Sequence, residues 1–216
     1  MTATRPRSGD EIRAYLRREV NHAVRRTGLY GGELALELYF RALSHAEGGE
    51  DDWAAERQLW RAQGWWGGTG IRGAIDLLMP PSRIRADDVV ASVYAGYAYR
   101  AGWLDLDRLL THAEYADLRA ALPEWVAEDR RTSDVHARFG PPSLLLGGGN
   151  PRYPQTYLYA AGRFRPLLCL HLWNDFDEPL GDEPVLLVAR EGGQPFGESC
   201  WFTPEGRRRC PVAAVA

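Results

Sequence analysis

The spacing of apolar residues changes near Gly140, and this change limits the fold more than any other feature of the chain. Before it, apolar residues recur at helical spacing, and S-x-x-E and T-x-x-E capping boxes at Ser8 and Thr111 mark helix starts. After it come five short aliphatic and aromatic runs, bounded by Gly, Pro, Asn or Asp and without helix-length spacers. We therefore predict an α+β fold in which an N-terminal helical bundle packs on a C-terminal antiparallel sheet of about five strands.

The domain organisation follows from the same boundary. We expect residues 1–140 to form the helical region and residues 141–216 the antiparallel β region, together in one compact domain. A chain of 216 residues with 45% hydrophobic content is long enough to bury such a core. The expected strands are Ser143–Leu146, Gln155–Ala161, Leu167–Trp173, Val185–Arg190 and Glu198–Phe202.

The expected helices differ in how clearly the sequence marks them. The stretch from Glu33 to about Glu47 leaves almost no polar stripe, which predicts a helix buried from several sides. Pro123 is expected to break or restart the helix that follows Thr111, and Ser133 to cap a last one through Phe139. Other helices are expected from Ser8 to Gly28, from Asp51 or Asp52, over Ile71–Leu78 and over Asp87–Arg100.

Net charge and cysteine content indicate which partners and which cellular compartment to expect. The formal net charge of -3 and the pI near 6.0 supply no broad positive field, so nucleic acid is not the favoured partner. Three cysteines without C-x-x-C spacing indicate neither a disulfide framework nor a zinc site, and fit a reducing compartment. The sequence has no signal-peptide h-region and no apolar stretch of membrane-spanning length. We therefore expect a cytoplasmic protein that has no contact with a membrane.

A G-x-G-x-x-G pattern runs from Gly68 to Gly73. In a dinucleotide site these glycines follow a buried strand and open a helix that holds the pyrophosphate. Here the preceding residues belong to a helix and its turn, so a nucleotide loop is not favoured. A weaker hypothesis keeps Thr69 as the cap of a helix whose N-terminus, with Arg72 beside it, takes a carboxylate or phosphate.

His171 is the histidine with the most suggestive surroundings. Strand alternation places it on one face with Cys169 and Trp173, while three leucines share the other face, which is expected to meet the core. The first face is the one that can line a pocket, with His171 as a base or Cys169 as a nucleophile. No nucleophile elbow or metal-spaced second histidine accompanies them, so a hydrogen-bonded structural histidine is the favoured interpretation.

Two charged segments and the adjacent tryptophans complete the candidates. The acidic turn around Asp175, Asp177 and Glu178 does not match a calcium loop and is expected to be a solvated hairpin loop. The run from Arg207 to Arg209 is expected to be a solvated tail. Trp65 and Trp66 cannot both face one core, so one of them is expected in a recognition surface. We expect neither a metal ion nor a cofactor.

The segment from Arg26 to Gly32 has a structural interpretation and a family resemblance. Gly28 ends the first helix, Tyr30 packs over the junction, and the following glycines let the next helix start close by. The segment also resembles the R-P-G-M-Y-x-G motif of bacterial immunity-type and uncharacterised proteins, with Thr27 at the proline position and Leu29 at the methionine position. This resemblance implies a small cytoplasmic protein that works by binding another macromolecule.

No complete catalytic constellation is present in the sequence. We therefore expect a non-catalytic binding protein of immunity or accessory type that acts through a protein partner, with a small-molecule ligand as a further option. The alternative is a small enzyme of specialised metabolism, with a pocket between sheet and helices that uses His171, Cys169 and Tyr157. The candidate binding residues are Tyr30, Trp65, Trp66, Thr69 and Arg72.

Overall fold

A computed structural model of the protein describes residues 8–80, 86–175 and 181–210. Helices come first and a five-stranded antiparallel sheet last, which confirms the predicted α+β class. Two short 3-10 helices, Thr27–Tyr30 and Phe196–Glu198, connect larger elements. The α-helices of the described residues are α1 (Gly9–Arg25), α2 (Glu33–Glu47), α3 (Glu50–Ala62), α4 (Ile71–Leu78), α5 (Asp87–Ala101), α6 (His112–Trp125), α7 (Thr132–Phe139) and α8 (Pro204–Arg209).

The sheet is a meander in which each strand pairs antiparallel with its neighbour in the chain. All five predicted strands are present, with ends that differ by one or two residues. In the register Thr156 lies opposite His171, and Arg190 lies between Cys169 and Cys200. The strands are β1 (Leu144–Leu146), β2 (Gln155–Tyr159), β3 (Leu168–Trp173), β4 (Val185–Glu191) and β5 (Cys200–Phe202).

Both faces of the sheet are buried, each beneath a different set of helices. Helices α1 to α5 form a first core with one face, and α5 lies directly against β1 and β2. Helices α6 and α7 form a second core with the opposite face. The alternation of β3 is explained by this arrangement, because Cys169 belongs to the first core whereas Leu168 and Leu170 belong to the second. The prediction that the leucine face meets a core is confirmed, but the other face is equally buried.

The capping boxes predicted at Ser8 and Thr111 are both formed, and each begins the expected helix. Two other predictions about helix ends are wrong. Helix α6 continues past Pro123 to Trp125, and α7 begins one residue before Ser133, with Arg131 as its N-cap. Pro123 lies in the last turn of α6, and the helix ends two residues later at Trp125.

Helix α2 is not buried from several sides, so that prediction is also wrong. Leu36, Phe40 and Leu43 reach the first core, but Leu34 and Leu38 are 79% and 63% exposed. The prediction failed because an apolar residue in the sequence can lie either in a core or on an exposed apolar surface. The helix therefore presents an apolar stripe to solvent.

The run from Arg207 to Arg209 is exposed, as predicted, but it forms the end of a helix and not a free tail. Thr203 caps α8, and Gly206 packs so closely on β4 that an added Cβ would lie 2.0 Å from the Leu187 carbonyl oxygen. Arg208 and Arg209 pair with Glu205 within the helix. The helix is thereby held against the sheet by a close backbone contact that only glycine allows.

Candidate functional site

A cavity of about 390 Å³ opens between the helices of the first core and the sheet. Helices α3 and α5 form one side, and the β2–β3 loop, β3 and the turn after β4 form the other. Trp60, Trp65 and Leu167 supply apolar wall, and the fully exposed Phe164 stands at the rim. Its volume lies within the range of small-molecule sites.

Helix α5 carries a row of polar and small residues on the side that faces the sheet. Asp88, Ser92, Gly96 and Tyr99 recur at intervals of four, four and three residues, which places them on one side of a helix. Ser92, Gly96 and Tyr99 line the cavity. The rest of the helix is almost entirely apolar and buried. This row therefore contains the polar side chains through which α5 contacts the sheet.

Arg190 is the buried charged group of the cavity, which Arg165 and the ion pair of Arg100 with Glu56 also line. Strand alternation directs it towards α5, whereas Glu191 points to the opposite face and pairs with Arg119. The Arg190 side chain is buried, and its Nη2 donates to Ser92 Oγ at 2.7 Å and to Cys169 Sγ at 3.3 Å. Among the described residues no carboxylate forms an ion pair with it, and none accepts a hydrogen bond from Nη1.

Trp65 fixes the position of this guanidinium. Arg190 Cζ lies 4.8 Å from the centroid of the Trp65 ring, a cation–π contact. The indole Nε1 donates to the Gln194 carbonyl at 2.8 Å, and Phe196 packs edge-on at 5.0 Å. Of the adjacent pair, Trp65 is thus the buried member and forms part of the cavity wall.

Tyr99 places a second unused polar group at the cavity. Its side chain is buried, and its hydroxyl has no hydrogen-bond partner among the described residues. A buried hydroxyl without a partner costs about 1–3 kcal/mol. Tyr99 Oη is therefore a buried group without a partner at the cavity, and Arg190 Nη1 makes no hydrogen bond with the described residues.

A continuous chain of hydrogen bonds runs inward from Arg190. Its Nε donates to His171 Nε2 at 3.5 Å, and the other ring nitrogen lies 2.9 Å from Thr156 Oγ1. That hydroxyl donates to Asp88 Oδ2 at 2.7 Å. The chain fixes the His171 tautomer, because Nε2 accepts a hydrogen bond from Arg190, and Nδ1 must then carry the ring proton and donate to Thr156.

The environment sets the charge of these groups. Burial, with the Arg190 cation beside it, holds the pKa of His171 well below 6.5, so the ring is neutral. Burial raises the pKa of the Cys169 thiol, although Arg190 acts against this effect. Burial also raises the pKa of Asp88 to about 6, against the hydrogen bond from Thr156. Cys169 is therefore a thiol and not an activated nucleophile.

The structure separates the three residues of the enzyme hypothesis. His171 and Cys169 face α5, whereas Tyr157 belongs to the second core on the other side of the sheet. There its hydroxyl lies 3.1 Å from Nε2 of the exposed His136, a contact that sequence reasoning did not identify. Cys169 lines the cavity, but His171 is one side chain deeper, behind Arg190.

The glycines from Gly68 to Gly73 have a structural explanation. Helix α4 begins at Ile71 with Gly70, not Thr69, as the N-cap residue. The Glu33 carboxylate accepts from the backbone N–H of Ile71 at 2.7 Å and of Arg72 at 2.9 Å. An added Cβ at Gly70 would lie 2.5 Å from that carboxylate. The helix N-terminus thus receives its anion from α2, and the glycine makes room for it.

The remaining candidate binding residues lie apart from the cavity. Arg72 forms an ion pair with Asp87, and Thr69 is exposed. Trp66 is half-buried beneath Arg57 and Arg61, whose Cζ atoms lie 5.1 and 4.5 Å from its ring centroid. These residues therefore have partners within the chain or stand in open solvent.

Tyr30 belongs to an exposed apolar surface, which we call the α2 surface. It consists of Leu29 and Tyr30 from the first 3-10 helix and Leu34 and Leu38 from α2. Leu29 is 84% exposed, and Tyr30 contacts His22 of α1 at 6.1 Å between ring centroids. The predicted packing of Tyr30 over the helix junction is thus only partial.

Sequence reasoning missed Arg190, Ser92 and Tyr99 as a group. A signal was present, because Asp88 and Ser92 are polar residues one helical turn apart in an otherwise apolar helix. An arginine that alternates inward on a buried strand was a second signal. These residues come together because of the register of β4 against β3 and because α5 crosses the sheet. The spacing of residues in the sequence predicts neither of these.

The described residues contain no helix long and apolar enough to cross a membrane. They also contain no group of three or more His, Cys, Asp or Glu side chains placed to hold a metal ion. In the acidic turn, Asp177 and Glu178 lie outside the described residues. For Asp175 the structure shows the backbone N–H donating to the Asn174 side chain at 3.1 Å.

Comparisons with protein-family models, with curated proteins and with solved structures found no match. The resemblance of the segment from Arg26 to Gly32 to immunity-type proteins therefore stays a prediction. The geometry of the cavity is the basis on which a function can be argued.

Proposed function

We propose that this protein is a non-catalytic binding protein for a small anionic molecule, which occupies the cavity between α3, α5 and the sheet. The observation that carries the proposal is the buried guanidinium of Arg190, which no carboxylate of the described residues neutralises. Taking a charge out of water costs several kcal/mol unless it is paired. An anionic ligand would supply the missing partner.

The unused donors suit a planar or tetrahedral anion. Arginine donors are arranged to grip carboxylate or phosphate oxygens, and Nη1 of Arg190 is the part left free for this. Tyr99 offers a hydroxyl that can donate to the same ligand. Arg165 stands exposed in the loop at the cavity and adds positive charge.

The walls suit a ligand with an apolar body. Trp60 and Trp65 are large flat aromatic surfaces, and Val93 and Leu167 add aliphatic ones. Apolar walls with a few placed polar groups are the usual composition of a small-molecule site. We therefore propose a ligand that joins an aromatic ring to a carboxylate or phosphate.

The chemistry of the floor favours binding over catalysis. Cys169 is held as a thiol, and both ring nitrogens of His171 are occupied by Arg190 and Thr156. A general base needs a free nitrogen within reach of the substrate. His171 would instead position Arg190.

Calorimetric titration with benzoate, indole-3-acetate and phenyl phosphate tests the proposal, with benzamide as the neutral isostere of benzoate. We expect saturable binding of at least one anion and at least tenfold weaker binding of benzamide, because the amide carries no charge for Arg190. Equal binding of benzoate and benzamide, or no binding of any anion, would contradict the proposal.

Two matched variants locate the site. Arg190→Met keeps the length of the side chain but removes the charge, and should abolish anion binding. Arg119→Met removes a cation from the opposite face of the sheet, where it pairs with Glu191, and should leave binding unchanged. Circular dichroism of both variants controls for folding.

The α2 surface supports a second proposal, in which the protein acts through a protein partner of the immunity or accessory type. Its four large apolar side chains stand in solvent on consecutive elements. Exposed apolar surfaces of this kind occur at protein interfaces. Leu34→Glu combined with Leu38→Glu should remove a stoichiometric partner that co-purifies from the native host. Leu109→Glu, at another exposed leucine, should retain it; loss in both variants, or no partner with the unaltered protein, counts against this proposal.

A further inference from the structure

The hydrogen-bond chain described above crosses the first core from one cavity to another. Arg190 stands at the first cavity, and Asp88 lines a second cavity of about 580 Å³. The second cavity lies between the first 3-10 helix, the start of α5 and the β1–β2 loop. Gly28 and Gly147 line it, Gly28 beside the Asp87 carboxylate and Gly147 beside the Cβ of Asp88.

Every donor in the chain points away from Arg190 and towards Asp88. Arg190 donates to His171, His171 donates to Thr156, and Thr156 donates to Asp88. An arrangement of this kind is a polarised path with a cation at one end and a carboxylate at the other. Asp88 makes no ion pair with Arg190, and the two charged groups are linked only through two neutral ones, His171 and Thr156.

We propose that binding of the anionic ligand at Arg190 is coupled to uptake of a proton by Asp88, so that affinity rises as the solution becomes more acidic. This inference rests on the proposed function, since it concerns the same ligand. An ionised Asp88 competes with the ligand for the field of Arg190. Protonation of Asp88 removes the competing charge, and ligand binding in turn favours that protonation.

The position of Asp88 makes this coupling accessible near neutral pH. Burial raises its pKa to about 6, and the second cavity gives protons a path to it. His171 does not take the proton in its place, because its pKa is held well below 6.5. Asp88 is thus the member of the chain whose charge changes.

Other charged groups also face Asp88 from the described elements around it. Asp87 lies beside it on α5 and raises its pKa slightly, but Asp87 is itself paired with Arg72 of α4. Arg26 from the end of α1 and Tyr153 from the β1–β2 loop line the same cavity. His171 faces it from β3, through Thr156. A control must therefore distinguish Asp88 from Asp87.

The test is calorimetric titration of benzoate at intervals from about pH 8 to about pH 5.5, a range in which its carboxylate stays ionised. For the unaltered protein we expect affinity to rise about three- to tenfold over this range, as for a coupling of half to one pKa unit. Titrations in buffers of different ionisation enthalpy should show proton uptake. The Asp88→Asn variant should bind benzoate at pH 8 as tightly as the unaltered protein does near pH 5.5, with most of the pH dependence lost.

Asp87→Asn is the matched control. The benzoate affinity of this variant should keep its pH dependence, with the midpoint only slightly lower in pH because Asp87 no longer raises the pKa of Asp88. His112 touches Arg165 at the mouth of the cavity, and any contribution from its charge would be the same in Asp88→Asn and in the unaltered protein. If benzoate does not bind, indole-3-acetate takes its place in the titration, and no binding of benzoate, indole-3-acetate or phenyl phosphate at any pH overturns the proposed function itself. Binding that is independent of pH, or equally dependent in Asp88→Asn, overturns the coupling and leaves the proposed function standing.

Discussion

The two faces of the sheet are built from alternate residues of the same strands, yet they are chemically different. Towards α6 and α7, β3 presents Leu168, Leu170 and Leu172 to an apolar core. Towards α5, the same strand presents Cys169 and His171 to Arg190, Ser92 and Asp88. Both faces are buried to the same degree, so burial alone does not distinguish a structural face from a functional one.

The comparison shows that one face of the sheet stabilises the fold and that the other lowers its stability. An apolar face gains free energy from every side chain it buries, about 25 cal/mol per Å². The α5 face instead holds one cation, one carboxylate and an unpaired hydroxyl in the interior, each of which carries a desolvation cost. The apolar second core offsets that cost. The predictions that follow test this division from its largest expected effect to its smallest.

The largest effect is expected on the apolar face. Leu170→Ala removes a fully buried side chain from the second core and should lower the free energy of unfolding by about 3–4 kcal/mol. Urea denaturation followed by tryptophan fluorescence measures the change. Benzoate binding should be unaffected, and a loss below about 1 kcal/mol would mean that this face is not the stabilising one.

The next effect concerns the charge on the α5 face. The pKa of Asp88 is raised in the folded state, to about 6 from 3.8, so ionisation destabilises the fold as pH rises through this interval. Asp88→Asn should therefore be more stable than the unaltered protein above pH 6 by up to about 3 kcal/mol, and the difference should vanish below about pH 4. His171, with its lowered pKa, acts in the opposite direction as pH falls below 6.5, but equally in both proteins. The difference between the two denaturation curves isolates Asp88; a constant difference would refute the assignment.

A smaller effect tests the link between the two ends of the chain without any ligand. If the proposed coupling holds, Arg190→Met removes the cation at the other end of the hydrogen-bond chain from Asp88, and the Asp88-dependent transition in stability should move up by about half a pH unit. Comparison of Arg190→Met with Arg190→Met/Asp88→Asn across pH provides the measurement. An unmoved midpoint would show that the two residues do not sense each other.

The smallest effect is expected at Tyr99. Its hydroxyl is buried without a partner in the described part of the chain, so Tyr99→Phe should raise the free energy of unfolding by about 1 kcal/mol, the lower end of the cost of an unpaired hydroxyl. The same variant should weaken benzoate binding several-fold. Thermal unfolding and calorimetry on one preparation separate these outcomes, and a clear loss of stability would mean that the hydroxyl already has a partner.

The order and class of elements could be predicted because they depend on local signals. Capping boxes at Ser8 and Thr111, glycines after helices and short bounded strands each act within a few residues. The exposure of α2 could not be predicted in this way. Whether Leu34 and Leu38 meet a core depends on which helices lie beside α2, a property of the tertiary arrangement.

The candidate site was only partly predictable, for the same reason. Strand alternation correctly placed Cys169 and His171 on one face, but Tyr157 from the neighbouring strand lies on the other. The role of Glu33 at the start of α4 also escaped prediction, because 38 residues separate it from the Ile71 N–H that it accepts from. Contacts between distant segments create the site, whereas the sequence patterns describe each segment by itself.

The meander order of the sheet has a consequence for how the chain is made. A ribosome releases α1 to α7 before any strand, and β1 to β5 then follow one hairpin at a time. Each new strand pairs with the strand synthesised just before it, so the sheet can form without contacts between strands that are distant in the sequence. Arg190 lies in β4 and emerges only after α1 to α7 and β1 to β3. A nascent chain therefore lacks the cation on which the proposed ligand site depends until β4 has been made.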